Sequence, residues 1–265
     1  MSNVYIWLNG EIVNADGAVI PHKDAGFLRG LGVFDTLLGD QGTPVKADLH
    51  FQRLIDNVKT VLLHDLDVSI DHFTAVAEEL LQKNALTDGK ARVRTQVTSG
   101  LTAELLGKPI KPLIMMSAVR AEIPETPAPV HLKIVRDFPR IANCIYDNCK
   151  RLDYSRSYIA KQKALALGGT DALLSNTEGN MACATTSNMF IREGDEYITP
   201  PLSDGVLNGI ARRGFIAQTN AHEESISEER LMAADAVYLT NSILGIRQVA
   251  SINDKEFTGS DAVAA

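Results

Sequence analysis

The chain is short of cysteine, of long apolar runs and of positive charge. Its three cysteines are Cys144, Cys149 and Cys183. That set is too sparse and too odd for a disulfide framework, and free thiols in a chain of this size fit a reducing compartment. No stretch approaches the ~18 consecutive apolar residues of a membrane span. The opening MSNVYIWLNGEIV lacks a basic region followed by a long apolar run, so it does not read as a signal peptide. The expected location is the cytoplasm, with no membrane partner. The net charge is -7 and the pI about 5.4, which argues against a nucleic-acid binder with a basic surface. A small anionic ligand held by a few local Arg and Lys residues stays compatible with it. His22, His50, His64, His72, His131 and His222 show no close ligand spacing with one another or with the cysteines, so no metal site is expected. The Gly-rich loop followed by Lys-Ser/Thr of an ATPase is also missing.

What is present is an ordinary globular balance, 45% hydrophobic and 22% charged over 265 residues. That length suits one large domain or two small ones. Val4 to Leu8 and Glu11 to Val13 flank Asn9-Gly10, a hairpin signal. Gly32 to Leu38 reads as a strand, Gly39 to Pro44 as a turn and Val45 to Ala47 as a short return strand. Asp48 is the candidate cap of a helix carrying His50, Arg53, Leu54 and Val58. Phe73, Val76, Ala77, Leu80 and Leu81 recur at helical spacing over Asp71 to Asn84. Arg92 to Ser99 and Leu113 to Val119 read as strands. Three prolines between Glu122 and Pro129 mark a linker.

Beyond it, Val130 to Val135 reads as a strand. Asp153 is the candidate cap of a helix with Tyr154, Tyr158, Ile159 and Leu165 on one face, closed by Gly168-Gly169. Asp171 to Leu174, Asn188 to Ile191 and Ala236 to Thr240 read as strands, Asn176 to Gly179 as a turn and Leu207 to Thr219 as a helix. The expected architecture is α+β: an N-terminal domain over 1–120, a linker over 121–129 and a larger C-terminal domain over 130–265, with a cleft between the domains.

Two features carry chemistry on residue type alone. Gly205 to Arg212 sets glycines at the mouth of a helix, where unpaired amides and the helix dipole favour a phosphate; turn glycines before a helix are also common. Lys150 follows the stretch Ala142 to Cys149 and precedes a helix cap. A lysine there can reach into a cleft, and the plain alternative is a solvated lysine.

Several segments, in order and spacing, match one family. They are Phe27 to Leu37, His50-Phe-Gln-Arg-Leu54, Lys150 to Ala164, Ser187-Asn-Met-Phe190, Thr199-Pro-Pro-Leu202, Gly205 to Arg212 and Ala234 to Ser242. With them the chain resembles the class IV aminotransferases, the fold-type IV pyridoxal 5'-phosphate (PLP) enzymes. These include branched-chain and D-amino-acid aminotransferases, R-selective amine transaminases and aminodeoxychorismate lyases. The resemblance implies a two-domain fold with PLP between the domains and a homodimer. It implies that Lys150 is the Schiff-base lysine that later shuttles a substrate proton, an amine whose pKa partial burial would lower. Arg53 is implied to clamp the cofactor phosphate, together with the backbone amides of Ile210 and Ala211 and with Ser242. Tyr154, within one residue of register, is implied beside the cofactor ring. Arg94, Ser242 and Ile243 fall at substrate-facing positions.

The match has departures. Many relatives have threonine where this chain has Ala211, and proline where it has Gln248. Counting five residues back from Asn188, where the family's glutamate holds a proton on the PLP ring nitrogen, lands on Cys183. Glu178 belongs to the preceding turn and does not take that role. A thiol holds such a proton weakly unless nearby positive charge makes it a thiolate; the bland alternative is a small buried hydrophobe. Three functions are therefore carried: a transaminase acting on a small amino acid or amine and a keto acid, an aminodeoxychorismate lyase releasing pyruvate and 4-aminobenzoate, and a PLP-binding protein with little turnover. Gly-Val-Phe-Asp-Thr-Leu and Leu-Thr-Asn-Ser favour the second, and Cys183, Ala211 and Gln248 motivate the third.

Overall fold

A computed structural model describes residues 4–102, 104, 107, 109–125 and 128–257. The linker positions Thr126 and Pro127 lie outside the described residues. The chain forms two compact units, one of Met1–Ile123 with Cys149–Asp153 and one of Pro124–Asn148 with Tyr154–Ala265.

The first unit is an antiparallel six-stranded sheet backed by helices. Its elements are β1 (Tyr5–Leu8), β2 (Glu11–Asn14), α1 (Ala25–Arg29), β3 (Gly32–Asp40), β4 (Thr43–Pro44), α2 (Ala47–Leu62), α3 (Ile70–Lys83), β5 (Lys90–Thr102) and β6 (Pro109–Arg120), with the order β2-β1-β6-β5-β3-β4. Asn9 and Gly10 both take positive φ, 50° and 103°, and close the β1–β2 hairpin as their residue types suggest. Strand alternation sends Val33 and Leu37 into a core with Phe51, Leu54, Val58, Phe73 and Leu80 from α2 and α3. The stacked rings of Phe51 and Phe73, 5.1 Å apart, lock the two helices together.

Two local expectations give way here. The turn after β3 tightens onto Gln41 and Gly42, both at positive φ, so the return strand is Thr43–Pro44 and Ala47 already opens α2. Asp48 lies inside the first helical turn, and the cap position belongs to Lys46 in a left-handed conformation. On α3, Ser69 caps by accepting from the His72 N–H at 3.1 Å.

Cys149–Asp153 joins this unit through backbone bonds to β3. Phe34 N–H donates to Lys150 O and Leu152 N–H to Gly32 O, each at 2.9 Å, and Val33 bridges Arg151. Gly32 makes the approach possible, because a Cβ there would lie 2.4 Å from Leu152 Cδ1.

The second unit contains β7 (Val130–Arg140), α4 (Ser155–Ala166), β8 (Asp171–Asn176), β9 (Met181–Ala184), β10 (Asn188–Glu193), β11 (Glu196–Thr199), α5 (Ile210–Thr219), β12 (His222–Glu223), α6 (Glu228–Ala233), β13 (Ala236–Asn241), β14 (Gly245–Ile252) and β15 (Lys255–Glu256). The sheet order is β12-β11-β10-β13-β14-β7-β8-β9, with β15 on β14. Strand β9 also pairs with β10 through Cys183 and Asn188, so six strands close on themselves at that seam. Alternate residues, among them Leu132, Leu173, Met189, Leu239 and Val249, pack into one cluster. On other faces α4 packs through Ala160 and Ala164, and α5 through Phe215, whose ring meets Phe190 edge-on at 4.7 Å.

Helix α4 departs from expectation. Tyr154, not Asp153, occupies its cap position, and no side chain caps it. Its buried side is Ser157, Ala160 and Ala164, while Tyr158, Ile159 and Leu165 are exposed. Small residues are what let a helix lie close on a sheet, so the large apolar ones turn outward.

Candidate functional site

The first unit gathers most of the charge. Along β3, Asp35 points toward α2 and is 2% exposed. Its Oδ2 accepts from Arg53 Nε at 2.7 Å, and its Oδ1 accepts from Arg53 Nη2 at 2.8 Å and from Thr36 N–H at 2.7 Å. His50 Nδ1 lies 2.7 Å from Oδ1. His50 and Arg53 sit three residues apart on α2, hence on one face. Burial alone would raise the Asp35 pKa, but Arg53 and His50 outweigh it and hold the carboxyl well below the usual range. Asp35 is therefore ionised, and the His50 Nδ1 that faces it carries the proton and donates.

On the neighbouring positions of the same strands, Phe34 is the meeting point of two cations. Arg94 Cζ lies 4.0 Å from its ring centroid and Lys150 Nζ 4.5 Å. Arg94 Nε donates to Gln96 Oε1 at 3.0 Å, two residues along β5. Lys150 is only half-buried as a whole residue, yet its pKa is lowered to about 8. Burial of the amine is the largest cause; Arg53 and Arg94 lower it further, and Asp35 pulls it back up. A lysine poised like this exchanges its proton near neutral pH, which an ordinary surface lysine does not.

The second unit supplies a helix terminus and an apolar wall. Helix α5 starts at Ile210, three residues later than the sequence pattern suggested, with Gly209 at its cap and no capping side chain. The first-turn amides, those of Ile210 and Ala211 included, have no intrahelical acceptor. A side chain at Gly209 would displace Asn188, because a Cβ there would lie 2.2 Å from Asn188 Oδ1. Asn188 Nδ2 in turn donates to Leu207 O at 2.8 Å and anchors the approach to the helix. After β13, Asn241 Oδ1 accepts from the N–H groups of Ile243 and Leu244, at 3.0 and 2.7 Å, and so shapes the turn bearing Ser242 and Ile243. The Tyr154 hydroxyl donates to Thr185 O at 3.4 Å.

Cys183 stands opposite Asn188 and Leu174 and packs with Ala182, Val206 and Leu202. Burial pushes its thiol upward; Arg140 and Arg156 oppose this, and Asp147 and Asp171 add to it. The two arginines are engaged by Asp147, with Arg156 Nη1 donating to Asp147 Oδ2 at 2.7 Å. The thiol is thus neutral, and the thiolate option has no support in the charges around it. Glu178 is exposed in its turn and accepts from Asn143 Nδ2 at 3.2 Å.

Residue reasoning on the sequence passed over Asp35, His50, Phe34 and Gln96 as site members. A signal existed for the first of them: a carboxylate in the middle of the otherwise apolar strand Gly-Val-Phe-Asp-Thr-Leu-Leu needs a buried cation. Among the described residues no group of His, Cys, Asp and Glu could hold a metal ion, and no helix is long and apolar enough to cross a membrane.

An amine with a lowered pKa beside two arginines suits an enzyme whose cofactor carries an aldehyde and a phosphate. A family model described as "Amino-transferase class IV" matches residues 32–252. The chain belongs to the class IV aminotransferase family, whose cofactor is PLP. The aminodeoxychorismate lyase of Bacillus subtilis (strain 168) is 27% identical over 266 residues, covering 95% of this chain and 88% of that protein. A putative branched-chain-amino-acid aminotransferase of Methanocaldococcus jannaschii is also 27% identical, covering 94% and 88%. Among solved structures, a putative 4-amino-4-deoxychorismate lyase from Legionella pneumophila superposes with a TM-score of 0.87 at 27% identity, covering 94% of this chain and 92% of that one. Lys150 and Arg53 in the first unit, and the first-turn amides of α5 in the second, have the chemistry to hold the aldehyde and phosphate of PLP, whereas the neutral Cys183 thiol would be a weak partner for its ring nitrogen.

Proposed function

We propose that the protein is a PLP-dependent aminotransferase in which a small amino acid or amine and a keto acid react in turn at Lys150. The observation that carries the reading is the Lys150 amine, lowered to about 8 beside Arg53 and Arg94. When bound, PLP supplies the electron sink that lets a substrate α-hydrogen leave as a proton. Lys150 Nζ is the attachment point and the group that takes up and returns that proton. Arg53, with its Nε–Nη2 edge held by Asp35, presents a guanidinium of set orientation to the phosphate. The amides of Ile210 and Ala211 offer hydrogen bonds to the same kind of group, without the hydroxyl that a threonine at 211 adds. Ser242 is a further phosphate or carboxylate contact, and Tyr154 a ring neighbour. Arg94, pinned by Gln96 and Phe34, is the candidate for a substrate carboxylate, with Ile243 beside the substrate. A cytoplasmic homodimer is the expected working form.

The second reading, an aminodeoxychorismate lyase, is favoured by Cys183. A neutral thiol leaves the ring nitrogen without a firm proton, and an elimination that forms an aromatic product suffers less from that loss. Keto-acid release from a broad panel of amino donors tests the first reading, with Lys150→Ala as control. Release of at least one keto acid by wild type and none by the variant supports it. Silence across the panel, with pyruvate and 4-aminobenzoate formed from aminodeoxychorismate, replaces it with the lyase.

A further inference from the structure

The carboxylate of Asp35 is the most fully engaged polar group of the first unit. It accepts from Arg53 at both oxygens, from the Thr36 amide and from His50 Nδ1, all within 2.8 Å. It is 2% exposed, and His50 beside it likewise. A carboxylate this deeply buried is expensive to keep in water's absence unless every lone pair is used. Here the donors come from two elements, β3 and α2, and the guanidinium they secure belongs to the arginine assigned to the cofactor phosphate. A mere structural ion pair would satisfy burial equally well anywhere along α2. This one is set on the strand residue next to Phe34, whose ring carries Lys150 Nζ on one approach and Arg94 on another.

We propose that Asp35, backed by His50, is a positioning residue of the reaction: it fixes the Arg53 guanidinium edge-on and screens that charge from the Lys150 amine. The proposal rests on the reading of Lys150 and Arg53 given above. The groups that set the charge at Lys150 are Asp35 on β3, Arg53 on α2 and Arg94 on β5, with His50 on α2 one bond further away. Arg53 and Arg94 disfavour the protonated amine, while Asp35 favours it. Removing the carboxylate therefore leaves two cations pressing on Lys150. Removing Arg53 takes one repelling cation from Lys150 and leaves the attraction of Asp35 in place.

The two substitutions thus carry opposite signs, which loss of structure does not produce. The test is the pH profile of amine labelling at Lys150 in the full-length, cofactor-free chain. A lysine-selective trinitrophenylating reagent is used, and the Lys150 peptide is read by mass spectrometry. In Asp35→Asn the midpoint falls by roughly one pH unit from the wild-type value, and in Arg53→Gln it rises by a similar amount. If Asp35→Asn alone does not fold, the double variant Asp35→Asn/Arg53→Gln, which removes both charges, decides: its midpoint falls below that of Arg53→Gln alone, and an equal midpoint overturns the proposal. Midpoints that stay at the wild-type value, or move in the same direction in both variants, overturn the proposal. PLP added to wild type, with attachment at Lys150 read on the same peptide after borohydride reduction, is scored separately. Its failure would remove the functional reading, while the signed shifts would still report on Asp35.

Discussion

The neighbourhoods of Asp35 and Cys183 solve opposite problems. Around Asp35, a buried charge is matched bond for bond, and burial of the neighbouring Lys150 amine, with two arginines against one carboxylate, lowers its pKa to about 8. Around Cys183, burial keeps a thiol neutral. The nearby arginines are occupied by Asp147, and the thiol lies among Ala182, Val206 and Leu202. The Lys150 amine is electrostatically tuned, whereas the Cys183 thiol is kept neutral. Under the proposed function, that pairing would keep attachment and proton transfer and weaken the electron sink.

That contrast can be broken most severely at Asp35. Asp35→Ala strands Arg53 and His50 without their acceptor and costs about 3–5 kcal/mol of stability, measured by urea unfolding at neutral pH. The pH dependence has a definite sign. The folded Asp35 pKa lies below its ordinary value of 3.8, so its contribution is present above that value and lost as pH falls through the folded one. Lys150 runs the other way. Unfolded it titrates near 10.5 and folded near 8, so its cost to stability is complete below 8 and fades as pH rises toward 10.5.

At the N-terminus of α5, a Cβ added at Gly209 would start 2.2 Å from Asn188 Oδ1, so Gly209→Ala forces that side chain to move. We expect a loss of about 1–3 kcal/mol and weaker PLP retention, seen in thermal melts with and without cofactor. Cys183→Glu sharpens the comparison by placing a carboxylate where the neutral thiol stands. Transamination by the variant should rise roughly tenfold, equivalent to about 1.4 kcal/mol of barrier, as read from keto-acid release; no gain would mean that the thiol is not what limits the reaction. The smallest effect belongs to Ala211→Thr, whose hydroxyl adds one hydrogen bond worth about 1 kcal/mol and should tighten PLP binding several-fold in a fluorescence titration.

Much of this was readable in the chain itself, because it depends on neighbours in sequence. The Asn9-Gly10 hairpin and the helix carrying Phe73 to Leu81 follow from local turn chemistry and helical spacing. The short pieces were not readable. Strand β9 has four residues and α1 five, too few to show a period. Helix α4 misled because its close packing selects alanine and serine, leaving its large apolar residues outside. The start of α5 was blurred because Gly205 and Gly209 both look like helix openers, and only the fit against Asn188 chooses the second. The Asp35 cluster joins positions 15 and 18 residues apart, so the one local sign, a carboxylate inside a largely apolar strand, does not name its partners. The membership of Cys149–Asp153 in the first unit is likewise a matter of backbone pairing with β3. The candidate lysine could be named from motif order alone; the means by which its proton is tuned required the fold.

The central claim is that Lys150 is a cofactor lysine. It is tested most directly by the visible absorption spectrum of the purified protein with added PLP, for wild type and Lys150→Ala. The account predicts the long-wavelength band of lysine-bound PLP in the wild type and its absence in the variant. A wild type without the band, or a variant that keeps it, would contradict the account.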